Sequence, residues 1–510
     1  MTRIAGVDPR TAATLPAVVE ATPDHQVDTI AEIAAAAAAG LEAMGRHGRG
    51  ELLDAMADAT ERHRDELVKT AALETGFAVG KLDGELTRAV YQLRFFADVL
   101  RDGSYLEATI DRAGASAMGP RPDLRRMLVP IGPVAVFGAS NFPFAFSVLG
   151  GDTASALAAG SPVVVKAHDS HPATSKLSLD VLAATAVQTA APEGVIGAVY
   201  GRSAAVHLVA HPAIRAVGFT GSLSGGKALL DIINRRADPI PFYGELSSLN
   251  PVIVTPAAAA ERGETIGTEL AASFTLGAGQ LCTKPGLVLV PDNADGDALA
   301  YAVRNALTDV AAAPLLNERI FNSYRSETRD LREQQHLSIL GDPRDGSTHA
   351  GFTVEPIAFE TNVANLHRDL VTEIFGPVTV IVRYPAGDVE AATRSTMELL
   401  PHSLTATIHH GADEDTLLAQ LTEIARPTAG RIVYNGFPTG VAVSWAQTHG
   451  GPWPATNSLH TSVGATAIRR FLRPVTYQNA PESVLPEELH DSFGAVARRL
   501  DGVLVLPTER

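Results

Sequence analysis

A single cysteine stands in the 510 residues, Cys282, in the stretch GAGQLCTKPG. It cannot form an intrachain disulfide, and with no Cys or His neighbours at ligand spacing no metal site is expected there. It is either a small buried hydrophobe or a nucleophile. Candidate partners sit at strand ends. Glu245, in FYGELSSLNP, is set among Phe242, Tyr243 and Leu246. Desolvation in so apolar a stretch should raise its pKa, which suits a general base; the alternative is an ordinary acid at a strand terminus. Asn141, in GASNFP, is a turn-former or an oxyanion donor. Lys166, in VVVKAHD, is placed to meet ribose hydroxyls or to be solvated. In FTGS (219–222), with Gly225 and Gly226 behind it, glycines at a strand-to-helix turn let backbone N–H groups approach a phosphate, although a plain turn explains the pattern as well. It is not the G-x-G-x-x-G fingerprint, so a dinucleotide would be held differently.

The elements that position these residues follow from periodicity. Residues 24–100 read as helices: Val27, Ile30, Ala34, Leu41 and Met44 share a face, a second helix closes on Gly76, and a third spans roughly 78–101. A long hairpin with central Gly-Pro punctuation is expected near 107–130. The apolar strands in GPVAVFGAS, SPVVVKAHD, GVIGAVYG, IRAVGFTGS and IPFYGELS then alternate with helices. That pattern means an α/β fold with a parallel sheet covered on both faces and a ligand outside the carboxyl ends of its strands. A second alternation runs from about 250 to 445, with a long helix over 260–276, and a proline-punctuated tail follows.

The length calls for more than one domain. A net charge of −16 argues against nucleic-acid or anionic-membrane partners. One cysteine and an N-terminus without an apolar core predict a cytoplasmic protein.

Glu245 lies 37 residues before Cys282 (282 − 245) and Asn141 lies 104 before Glu245 (245 − 141), while EIFGP (373–377) precedes the strand VTVIV. In this order Asn, Lys, Gly-Ser, Glu, Cys and Glu-x-Phe-Gly-Pro resemble the aldehyde dehydrogenase superfamily. NFPFAFSVLGGDTASALAAGSPVVVKAH, VGFTGSLSGG, NGFPTGVAVSWAQTHGGPWPAT and RFLRPVTYQNAPESVLP are similar to α-ketoglutarate semialdehyde (2,5-dioxovalerate) dehydrogenases, whose relatives include an NADP-dependent fatty aldehyde dehydrogenase. The resemblance covers about 5–490. It implies a Rossmann-like cofactor-binding domain (1–106 and 131–247), an α/β catalytic domain (248–445) and bridging or oligomerisation segments (107–130 and 446–510), assembled as a homodimer or tetramer. It further implies that the Cys282 thiolate attacks an aldehyde and that the Asn141 carboxamide and the Cys282 N–H hold the oxyanion. After hydride transfer, Glu245 activates the water that hydrolyses the thioester. Small residues at Gly277, Ala278 and Gly279 let substrate and nicotinamide come close. Lys166, Gly221, Ser222, Glu373 and Phe375 are the implied cofactor contacts.

Cofactor choice rests on Asp169, whose carboxylate repels a 2′-phosphate, against Arg202, His168 and His171, which could attract one. NADP with dual use of NAD is expected. A dicarboxylic semialdehyde needs a cation for its far carboxylate; Arg88 and Arg94 are the candidates. A fatty aldehyde would instead use Phe144, Phe146 and Trp445. The alternatives to a hydrolytic semialdehyde dehydrogenase are the same chemistry on aliphatic aldehydes, a CoA-acylating enzyme, which usually lacks a carboxylate at the Glu245 position, and an inactive structural homologue.

Overall fold

The computed structural model describes residues 2–341 and 350–507; Met1 and residues 508–510, at the outer ends of two expected segments, lie outside them. Four helices come first: α1 (Asp24–Ala43), α2 (Gly45–Arg62), α3 (Arg64–Thr75) and α4 (Val79–Asp102). The expected second helix is thus two, broken at His63 (φ −98°, ψ 13°). Gly76, in the left-handed region at φ 67°, ends α3. Leu52, Leu53 and Met56 of α2 meet Leu86, Leu93 and Phe96 of α4 in the main core, all at most 2 % exposed.

The first parallel sheet holds β1 (Val134–Phe137), β2 (Val163–Lys166), β3 (Ile196–Val199), β4 (Ala216–Thr220) and β5 (Phe242–Glu245), in spatial order 3-2-1-4-5. Its registers align Phe137 with Lys166 and Phe219, Lys166 with Val199, and Thr220 with Glu245. The candidate residues at strand ends therefore share one edge of the sheet. The order reverses between β1 and β4, where an open α/β sheet forms its ligand crevice. Behind β2, Glu74 reaches from α3 and accepts from the Ala173 N–H and the Thr174 N–H, each at 2.8 Å, and from Thr174 Oγ1 at 2.7 Å. It thereby caps the helix Pro172–Gln188, which lacks a side-chain cap of its own.

The second sheet has seven strands: β6 (Val252–Val254), β7 (Leu287–Pro291), β8 (Ser338–Gly341), β9 (Ile357–Asn362), β10 (Val378–Tyr384), β11 (Ser403–His409) and β12 (Ala429–Tyr434), ordered 8-9-10-7-6-11-12. All neighbours are parallel except β8, which runs antiparallel on β9. The expected helix over 260–276 starts earlier, at Pro256, because Thr255 caps it through the Ala258 N–H, and Arg262 interrupts it at φ −144°. The hairpin also forms: Thr109–Asp111 pairs antiparallel with Leu124–Pro130, which in turn pairs with Leu472–Gln478 from the tail. Among the described residues no helix is long and apolar enough to cross a membrane.

Candidate active site

Cys282 sits in a turn between the two sheets. Gly277, Ala278 and Gly279 run through the left-handed region at φ 60°, 56° and 65°, a conformation that costs Ala278 free energy. A Cβ at Gly279 would lie 2.3 Å from the Gly376 carbonyl carbon and 2.5 Å from Pro377 Cα. Backbone there packs on backbone, so this glycine joins the GAGQLC and EIFGP stretches in addition to any role beside substrate. From below, Asn250 Nδ2 donates to the carbonyls of Cys282 (2.8 Å) and Lys284 (3.0 Å). Its Oδ1 accepts from Thr405 N, Thr405 Oγ1 and Ser248 Oγ. One buried carboxamide thus ties the nucleophile turn to β11.

The decisive neighbour is His449, for which the sequence reading had no role. Its Nε2 lies 3.4 Å from Cys282 Sγ and 3.0 Å from Glu245 Oε1, while Ser462 Oγ donates to Glu245 Oε2 at 2.7 Å. His449 and Ser462 belong to a segment expected to serve bridging. Within the chain it folds over β5: Leu246 N donates to Ala455 O at 2.8 Å. The Asn457 amide acts as a strand neighbour, accepting from Gly244 N (2.7 Å) and donating to Phe242 O (2.8 Å). Nothing in the sequence separates His449 from the other histidines, because its partner is about two hundred residues away in the chain.

Burial pushes the Glu245 carboxyl up, as expected, but the His449 ring beside it and the hydrogen bonds from His449 and Ser462 outweigh that, and the net direction is down. The expected raised pKa is corrected accordingly: apolar sequence neighbours do not reveal a polar cap that arrives from elsewhere. The Cys282 thiol moves the other way, well above its ordinary value, through burial and then the neighbouring Glu245 carboxylate, with Glu373 adding and Arg88 opposing. Cys282 is therefore held as a thiol at rest and needs a base on demand. Sγ, Nε2 and a Glu245 oxygen lie within 4.8 Å of one another, so the ligand grouping that local spacing did not show is assembled by the fold.

Asn141 stands on the opposite side of the turn. Its Nδ2 gives one hydrogen to Gln280 O at 2.9 Å and keeps a second for another acceptor. The loop after it hangs on Glu85, which accepts from Phe144 N (2.8 Å) and Ala145 N (3.1 Å). Phe144 is completely buried, so its ring offers no surface to a ligand; Phe146 is the one that meets His449, at 6.3 Å between ring centroids. Trp445 is half exposed and rests edge-on against Phe95. Arg94 is a surface residue paired with Asp58 at 2.8 Å. Arg88, by contrast, turns inward over Phe146.

At the sheet's carboxyl edge, Lys166 Nζ pairs with Asp169 Oδ1 at 2.8 Å. Burial drives the pKa values of His168 and His171 down, and His171 is spent on Ala139 O and Ser175. The two histidines are neutral and cannot serve as the positive partners expected of them. Lys166 and Arg202, the latter exposed at the start of the helix Arg202–Ala210, are the cations left. Ser222 caps the next helix, Leu223–Asn234, through the Gly225 N–H. Gly226 lets that helix close on Leu246, which a Cβ would approach to 2.3 Å. Across the crevice Glu373 accepts from Ser247 Oγ (2.7 Å) and Ser248 N (3.1 Å), with Phe375 half-buried nearby.

Residues 1–452 match the model of the aldehyde dehydrogenase family. The chain belongs to that family. It is 46 % identical to α-ketoglutaric semialdehyde dehydrogenase 2 of Azospirillum brasilense, over 89 % of this chain and 87 % of that one. With the α-ketoglutaric semialdehyde dehydrogenase of Acinetobacter baylyi it shares 40 % identity over 94 % and 91 %. Among solved structures, aldehyde dehydrogenase C of Pseudomonas syringae, with NAD+ and octanal, superposes with a TM-score of 0.80 at 21 % identity, covering 94 % of each chain. The NADP-dependent glyceraldehyde-3-phosphate dehydrogenase of Bacillus halodurans gives 0.79 at 21 %, over 94 % and 96 %. These two establish the aldehyde dehydrogenase fold of this chain.

Proposed function

We propose that the protein oxidises α-ketoglutarate semialdehyde to 2-oxoglutarate with a nicotinamide dinucleotide, as the names of its 46 %- and 40 %-identical relatives suggest. The observation that carries the chemistry is the Cys282–His449–Glu245 chain of contacts. Glu245, ionised beside Cys282, takes the thiol proton as Sγ closes on the aldehyde carbon, while His449 Nε2 donates to Glu245 Oε1 and fixes that carboxylate in place. The free N–H of Asn141 and the Cys282 backbone N–H receive the developing oxyanion, one such donor being worth about 3 kcal/mol. Glu245, ionised again once that proton has passed to solvent, then activates water against the thioester.

The cofactor fits the residues present. The reversal between β1 and β4 forms the crevice, and the capped helix after Ser222 offers its N-terminus to a pyrophosphate. Lys166 would take the adenine-side ribose, and Glu373 with Phe375 the nicotinamide side. When bound, the dinucleotide supplies the hydride acceptor that turns the hemithioacetal into a thioester. Because Lys166 neutralises Asp169 and Arg202 remains free to meet a 2′-phosphate, the reading favours NADP with use of NAD as well. The first sheet with its helices is the cofactor domain, the second the catalytic one, and the hairpin with the tail joins subunits in a homodimer.

The test is steady-state reduction of NADP and of NAD with α-ketoglutarate semialdehyde, pentanal and decanal, by wild type and Cys282→Ala. A kcat/KM at least about 10-fold higher for the semialdehyde is expected. Preference for decanal would move the substrate to fatty aldehydes, and turnover by Cys282→Ala would remove the mechanism.

A further inference from the structure

Arg88 and Arg431 come from distant parts of the chain, α4 and β12, and both hold the turn Pro438–Val441 that runs on to His449. Arg88 Nη1 donates to Val441 O; Arg431 donates through Nη1 to Gly440 O at 2.7 Å and through Nη2 to Pro438 O. Three N–H-bearing nitrogens remain shielded from solvent without a protein acceptor: Nε and Nη2 of Arg88 and Nε of Arg431. Neither guanidinium has a carboxylate partner within ion-pair distance among the described residues. The nearby acids are committed elsewhere, Glu85 to Lys81 and two backbone N–H groups, Glu245 to His449 and Ser462.

Donors of a part-buried cation that are shielded from water and left unmet are costly. Holding a turn does not require such a cation, since an amide side chain could donate to the same carbonyls. Position supplies the reason. Arg88 Cζ lies 5.6 Å from the centroid of Phe146, whose ring is 6.3 Å from His449, which touches Cys282. Both guanidiniums interact electrostatically with Cys282. Unpaired positive charge on Arg88 thus stands against the aromatic ring that flanks His449.

We propose that Arg88 and Arg431 form a receptor for the substrate's remote carboxylate, setting the enzyme's specificity for short aldehydes that end in an acid. The proposal rests on the semialdehyde reading and names the residues that impose it. A carboxylate presents two coplanar acceptors, which suits the fork of Arg88 Nε and Nη2, with Arg431 Nε as an additional donor. An uncharged aldehyde would leave these donors unmet, so discrimination works against tails without charge as well as for those with it.

The test reads the ratio of kcat/KM for α-ketoglutarate semialdehyde to that for pentanal, which is independent of the fraction of active enzyme. In Arg88→Gln this ratio should fall by about 100-fold, mostly through KM of the semialdehyde, as expected for removing one member of a buried charge pair; Arg88→Lys should restore part of it, and Arg431→Gln should lower it less. Glutarate should compete with pentanal in the wild type, and its inhibition constant should rise in Arg88→Gln. A parallel loss for both aldehydes, or a ratio within about 3-fold of wild type, overturns the receptor. If wild type favours the semialdehyde yet Arg88→Gln keeps that preference, only the receptor fails. If wild type favours pentanal while glutarate still binds through Arg88, the receptor stands and the assigned substrate falls.

Discussion

The two sides of Cys282 are built on opposite principles. On one side Glu245 is sealed at the end of β5 with both oxygens engaged, one by His449 and one by Ser462. On the other, Arg88 and Arg431 carry buried N–H groups with no acceptor. Both sides hold charged groups with atoms shielded from water, yet the protein satisfies the anion itself and leaves those donors of the cations unmet. Groups that must hold one geometry throughout the reaction are completed internally, which preorganises them. Groups that must select a ligand are left incomplete, because only an unmet donor can discriminate.

Breaking the completed side should have the largest effect. Glu245→Gln keeps the shape but not the charge, and kcat should fall by about 10²- to 10⁴-fold. The pre-steady-state burst of reduced cofactor sharpens the reading. If Glu245 serves mainly hydrolysis of the thioester, a burst near one equivalent per site survives while steady-state turnover collapses. If Glu245 also deprotonates Cys282, the burst slows as well. Unchanged turnover would mean that the sealed carboxylate is only a strut between β5 and the 449–462 segment.

A smaller effect is expected one contact outward, at His449. Because burial and the Glu245 carboxylate hold the Cys282 thiol well above its ordinary value of 9.0, alkylation of the free enzyme by iodoacetamide should keep accelerating past that pH. The sign follows from the direction of the shift: the thiolate is scarce at neutral pH and grows as pH rises. His449→Phe removes the donor that holds the Glu245 carboxyl down and in place, so kcat should fall by about 10-fold and the acid limb of the kcat–pH profile should move to higher pH. An alkylation rate that levels off below pH 8 would show a thiolate already formed at rest.

How much of this was legible beforehand divides along the same line. Glu245, Asn141 and Lys166 could be read from the chain because each ends or follows an apolar strand, and strand ends of a parallel sheet converge; Cys282, which follows a helix and precedes β7, stood out as the one thiol of the chain. The alternation of strands and helices was equally plain, since period and punctuation are local. His449, Ser462 and Asn457 were not legible: they lie in irregular backbone with no period, and their partners are on β5. The pKa of Glu245 was misjudged for that reason, as local apolarity says nothing about a histidine delivered by the tail. The break at His63 escaped because one residue with non-helical angles leaves the apolar stripe in phase. His168 and His171 were taken for cations from their types alone, whereas their burial makes them neutral. Arg88 looked no different from Arg94, six positions along the same helix (94 − 88). Only packing sends one to Phe146 and the other to Asp58.

Between the satisfied anion and the unmet cations stands an intermediate case, Lys284, and it supplies the subtlest prediction. Its Nζ is buried and donates to Val378 O at 2.7 Å, with Glu373 near enough to favour its charge. Burial still wins, and the pKa drops from 10.5 to about 8. The unfolded chain therefore binds a proton that the folded one releases across pH 8 to 10.5, so this group adds stability as pH rises through that window and forfeits it as pH falls through about 8. In Lys284→Met the charge is gone in both states. The melting temperature of the variant minus that of wild type should thus be at its highest below pH 8 and decline steadily toward pH 10.5. The slope is the test, because the lost contact with Val378 shifts the whole curve by a constant. A flat difference would place Lys284 with the satisfied groups, its charge fully answered by Glu373.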